Sequence, residues 1–82
     1  MAQQAAQLLS RYEQLLSENG SDKDHLIFAT IYLSDLKLKD AFNAVWDEWI
    51  TPGRAPARVC VACGLPEGYD VEITLTAELL RP

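Results

Sequence analysis

The side chains in this 82-residue chain best suited to act on a small molecule are Arg58 and Glu72. An arginine offers a planar fork of N–H donors that matches a carboxylate, and an acid opposite it can hold or deprotonate water. The two stand near the starts of neighbouring alternating segments. Their spacing fits two arrangements, a pair flanking one cleft or a cross-strand or inter-subunit salt bridge. Cys60 and Cys63 form Cys-Val-Ala-Cys, a spacing used by redox and metal motifs. Along a strand, however, residues three apart point to opposite faces, which suits neither a disulfide nor a shared metal. A structural zinc wants about four Cys or His ligands, and His25 is the sole histidine. Two reduced thiols in or near a core are therefore expected.

The other polar candidates are weaker. Asn43 falls in the middle of a helical pattern, where asparagine is a poor former, and a solvated position accounts for it. His25 has no Ser or Asp arranged around it as a triad. Asp22, Asp24, Asp35 and Asp40 lack the oxygen-ligand loop with a central glycine and read as caps and solvated groups. Neither a Walker loop nor a G-x-G-x-x-G turn is present, so no nucleotide cofactor is indicated and none is expected.

The elements that must position these groups follow from periodicity. Ala5, Leu8, Leu9, Tyr12, Leu15 and Leu16 recur at the spacing of one helix face, and Asn19-Gly20 supplies a left-handed stop. Residues 26–33 are β-branched, aromatic and scarcely polar, which reads as a strand covered on both faces. Phe42, Val45, Trp46, Trp49 and Ile50 draw a second helical stripe, ended by Thr51-Pro52-Gly53. At this spacing the two tryptophans read as core before ligand platform. Strands over 57–63 and 70–79 follow, separated by a turn at 64–69.

The resulting order is α-β-α-β-β, an α+β sandwich with a mixed three-stranded sheet and two helices on one face. A crossover places the strands at 26–33 and 57–63 parallel, and the turn before Asp70 makes the last two strands an antiparallel hairpin. The uncovered face would then carry Arg58, Cys60 and Ala62 beside the Glu72, Thr74, Thr76, Glu78 row. Contact with another subunit would explain a face of that mixed character.

Composition bounds the partners. Apolar residues at 49% and charged residues at 23% favour a packed single domain over disorder. Seven basic against twelve acidic residues leave a net charge of −5 with the basic groups scattered, which argues against nucleic acid. No apolar run approaches the roughly 18–20 residues of a membrane span, and no basic-then-apolar leader is seen, so a cytoplasmic protein is the default expectation. A domain this short has a marginal core, and with disulfide and metal set aside, self-association is the remaining source of stability.

Five blocks in order resemble one family. They are Leu15-Leu16 with Gly20-Ser21 and Leu26, then Ala29-Thr30-Ile31-Tyr32-Leu33 with Asp35, Asn43 with Val45-Trp46 and Trp49, Ala55-Pro56-Ala57-Arg58-Val59-Cys60-Val61, and Val71-Glu72-Ile73. Together they are similar to the RidA/YjgF (L-PSP) family, in particular its shorter YoaB-like branch. The resemblance implies a chorismate-mutase-like fold and a homotrimer whose sheets face inward, with ligand clefts between subunits. It implies hydrolysis of reactive 2-imino acids to 2-oxo acids and ammonia, without metal or organic cofactor. It also implies that Arg58 clamps the substrate carboxylate, Glu72 positions the attacking water, Cys60 lines the pocket and Asn43 lies near the neighbouring site.

Two departures accompany the resemblance. The family ordinarily begins with a β-hairpin before the first helix, whereas this chain starts at that helix and reads as a single, N-terminally truncated domain over 1–82. Leu38-Lys39 stands where an Asp-Phe pair is usual. The alternatives to a deaminase are a non-catalytic module for small carboxylates and an inactive truncated member.

Overall fold

The computed structural model of the chain describes residues 1–80. The first helix, α1, spans Ala2–Glu18 and buries Ala5 and Leu9. It ends where the spacing predicts. Gly20 adopts φ +79°, the Ser21 N–H donates to the Leu16 carbonyl at 2.8 Å, and the Gly20 N–H lies 3.5 Å from the Ser17 carbonyl oxygen. This double closure satisfies carbonyls that a helix end otherwise leaves open, and the positive φ is open to glycine without a Cβ penalty.

A 3-10 turn at Lys23–His25 leads into β1, Leu26–Leu33, and a second at Leu36–Leu38 into α2, Lys39–Trp49. Asp22 and Asp35 cap these turns, accepting from the backbone N–H groups of Asp24 and Lys37. After α2, the Thr51–Arg54 turn, with Pro52 second and Gly53 third at φ +81°, reverses the chain toward β2, Ala57–Ala62. The last strand, β3, is Val71–Ala77. None of the helices among the described residues is long and apolar enough to cross a membrane.

The sheet order is β2-β1-β3, with β2 parallel and β3 antiparallel to β1. This corrects the expected hairpin, because β3 does not pair with β2 but crosses to the far side of β1. The connection at 63–70 can reach about 26 Å when extended, whereas two strand spacings are only about 10 Å. It is thus long enough to pass over β1, where a two-residue turn would have forced adjacency. Pairing there puts Val71 and Ile73 beneath α1. Gln4 of α1 ties the connection down, donating to the Gly68 carbonyl at 3.0 Å and accepting from the Asp70 N–H at 2.9 Å.

Both helices lie on one face, and the core between them and the sheet is Ala5, Leu9, Ala29, Ile31, Leu33, Phe42, Trp46, Val71 and Ile73. A bulge at Ile27 interrupts the β1–β3 register at its start. From there β1 alternates, with Ala29, Ile31 and Leu33 fully buried while Phe28 is 41% exposed and Thr30 and Tyr32 are half-buried. The expectation of a strand covered on both faces is corrected accordingly. The apolar run reflects one face under helices and another left open within the chain.

Candidate functional site

The register decides where the candidate side chains point. Arg58 is opposite Ala29 and Cys60 opposite Ile31, both buried beneath the helices, while Val59 and Val61 stand opposite Thr30 and Tyr32 on the open face. Arg58 and Cys60, with Ala62 in the same row, therefore belong to the helix side, not the uncovered side as expected. Alternation says only that these residues share a face. The pairing with β1 says which. The open face instead carries Val59 and Val61, 42% and 38% exposed, beside Phe28, Thr30, Tyr32 and the Glu72, Thr74, Thr76 row.

Arg58 lies on an outer strand and reaches across to α2. Its Nη2 donates to Asn43 Oδ1 at 2.6 Å. Its Cζ is 5.4 Å from the centre of the Trp46 ring and 5.8 Å from that of Phe42, distances at which a guanidinium is attracted to an aromatic face. Phe42 and Trp46, four apart on one helix face, are themselves almost wholly buried. The arginine thus closes the end of the aromatic core with its stem and one guanidinium face, leaving the rest of its N–H fork for another group. Cys60 packs half-buried against the same core, and Cys63 is exposed; both are free thiols.

Glu72 sits elsewhere. It is exposed on β3, across β1 from Arg58 and opposite Tyr32. It edges a cleft of about 320 Å³ shared with Leu8, Tyr12, Pro66, Tyr69 and Val71. Tyr12 donates to the Ile73 carbonyl at 2.7 Å. Burial holds the Tyr12 hydroxyl above its ordinary pKa, with the Glu72 charge adding to that shift and Arg11 opposing it, so it remains a neutral donor at neutral pH. Within one chain, then, the structure brings Arg58, Asn43 and Cys60 to one end of the sheet and places Glu72 at the other. With β1 between their strands and their side chains on opposite faces, Arg58 and Glu72 do not flank one cleft within a single chain.

Sequence reasoning missed the part played by three residues. Phe42 and Trp46 were assigned to the core, and it is the core that holds Arg58. The signal was present as an amide, Asn43, inside an aromatic stripe. Tyr12 was read as helix face only, and nothing in its spacing marks the hydroxyl that reaches β3.

The fold and this arginine-bearing end define a small α+β protein of the chorismate-mutase-like type, and comparison with known proteins is specific about which kind. The family model described as endoribonuclease L-PSP matches residues 1–79. A RutC family protein of Haemophilus ducreyi is 35% identical over 78 residues, covering 94% of this chain and 67% of that protein. The RutC family protein YoaB of Escherichia coli is 38% identical over 76 residues, covering 92% and 67%. A crystal structure of a YjgF-family protein from Neisseria meningitidis superposes with a TM-score of 0.92 at 40% identity, covering 95% of this chain and 66% of that one. The chain belongs to the L-PSP/YjgF family, as the five sequence blocks indicated. It spans about two thirds of the length of these relatives.

Proposed function

We propose that this protein hydrolyses reactive 2-imino acids to 2-oxo acids and ammonia, with Arg58 holding the substrate carboxylate and Glu72 the attacking water. The observation that carries the reading is the ordered guanidinium of Arg58, fixed by Asn43 and two aromatic rings with donors to spare. In the reaction, water adds to the imine carbon while Glu72 takes its proton. The imine enters protonated, so addition leaves a neutral carbinolamine; Glu72 returns its proton to the nitrogen, ammonia leaves as the C=O bond forms, and the departing ammonia takes the hydroxyl proton. Imines hydrolyse readily in water, so the protein's task is mainly to orient substrate and nucleophile.

One copy does not bring the two groups together, which favours a site shared between copies. The outward Val59 and Val61, flanked by Phe28 and Tyr32, give the open face enough apolar surface to be covered by a neighbour. A homotrimer, as the family resemblance implies, that covers this face and sets the β3 edge of one copy beside the β2 edge of another would let Glu72 of the first approach Arg58 of the second. Ammonia release from 2-iminopropanoate, measured with light-scattering mass, tests this. Acceleration by an associated species that Arg58→Ala abolishes is expected; equal acceleration by Arg58→Ala removes the clamp.

A second reading is favoured by the same geometry. The carboxylate end is assembled within one chain and the acid end is remote, as a binding module for small carboxylates would have it. Calorimetric binding of 2-oxobutanoate without ammonia release selects that reading.

A further inference from the structure

The chain carries twelve acidic residues. Yet among the described residues neither ion pair involves Arg58; the pairs are Met1 with Asp70 and His25 with Asp22. Its guanidinium is met by a neutral amide oxygen, Asn43 Oδ1, at 2.6 Å. The amide orientation follows from chemistry, because a guanidinium has no acceptor for the Nδ2 donors. A carboxylate would bind the same N–H more strongly, and aspartate is nearly isosteric with asparagine. It would also neutralise the charge that an anionic ligand needs. Asparagine is moreover a poor residue for the interior of α2, so local helix stability does not explain its presence.

We propose that Asn43 is a positioning residue, a neutral acceptor that, with the faces of Phe42 and Trp46, locks the Arg58 guanidinium plane while leaving its charge unspent. The remaining N–H fork is then presented preformed to the carboxylate of a 2-imino or 2-oxo acid. This rests on the carboxylate-clamp reading above and has Asn43 act through Arg58 instead of touching substrate. Holding the fork before the ligand arrives removes an ordering cost from binding. Phe42 is fully buried and Trp46 4% exposed, so the rings serve the arginine and are not a platform for the ligand's side chain. The site would accordingly select for a carboxylate more strictly than for what the carboxylate bears.

The test measures 2-oxobutanoate affinity by calorimetry, thermal stability, and rotation of the Arg58 guanidinium by 15N NMR, for wild type, Asn43→Asp and Asn43→Ala. Asn43→Asp is expected to keep or raise Tm while weakening 2-oxobutanoate at least about tenfold, about 1.4 kcal/mol. Asn43→Ala is expected to speed guanidinium rotation and weaken binding. A merely structural asparagine gives the opposite pattern for the aspartate, and an Asn43→Asp protein that binds 2-oxobutanoate like wild type overturns the proposal. If wild type itself binds no 2-oxobutanoate, the clamp reading fails. The positioning role then stands or falls on rotation alone, supported if Asn43→Ala frees the guanidinium and overturned if the rotation is unchanged.

Discussion

The two ends of the sheet treat their charged residue in opposite ways. At the β2 end, Arg58 is drawn inward against α2, hydrogen-bonded and stacked on rings that form the core. At the β3 end, Glu72 stays exposed beside a cleft, its charge acting on the Tyr12 hydroxyl. A guanidinium can be held this way because its long stem and weakly hydrated face tolerate partial burial, whereas a carboxylate loses much more on leaving water. The contrast separates a group that the fold preorganises from one that needs a further surface to complete its surroundings. It also makes loss of Arg58 costly to folding and function alike, and loss of the exposed Glu72 charge costly to function alone.

The largest effect should come from removing the floor beneath Arg58. Phe42→Ala is expected to destabilise the domain by about 3–5 kcal/mol, read from urea midpoints. Glu72→Gln, at the other end, should move stability by no more than about 0.5 kcal/mol. A comparable loss from both would erase the distinction. Next is Arg58→Ala, expected to cost about 1–2 kcal/mol through the lost stacking and amide hydrogen bond and to abolish acceleration of ammonia release. Glu72→Gln should lower that rate at unchanged stability, and a Glu72→Gln protein with full activity would limit the chemistry to the β2 end.

Tyr12→Phe should cost about 1 kcal/mol by leaving the Ile73 carbonyl without its donor. The hydroxyl's pKa is raised in the folded state, so its contribution is complete below the ordinary tyrosine range and is lost as pH rises through the raised value. Alkaline titration of Tm should therefore be shallower in Tyr12→Phe. The smallest effect is at Asp22, outside both ends. The hydrogen bond with His25 holds its carboxyl below the ordinary range, so its contribution is present above that range and lost as pH falls through the lowered value. The Tm difference between wild type and Asp22→Asn should shrink toward zero in acid.

Much of the molecule was legible as a string. The stripes Ala5, Leu9 and Phe42, Trp46 gave both helices and their buried faces, Gly20 gave the stop of α1, and the Val71, Ile73, Leu75 alternation gave a strand lying on helices. These features are local, since each depends on period and on conformational preferences within a few residues. Family membership was legible for a related reason, as ordered blocks survive in the one-dimensional record. Arg58 and Asn43 could be named from those blocks, but their contact could not, because fifteen residues of chain separate them.

What only the tertiary structure decided was which strand is central and which side β2 presents. By apolarity alone Val59 and Val61 belong inside and Arg58 outside, and the fold does the reverse. Alternation fixes which residues share a face, leaving a twofold choice that strand register resolves, and register is set by contacts far apart in sequence. Once β2 aligns Arg58 with Ala29 and β3 crosses to the other edge of β1, the arginine must meet α2 and Glu72 must lie across the sheet from it.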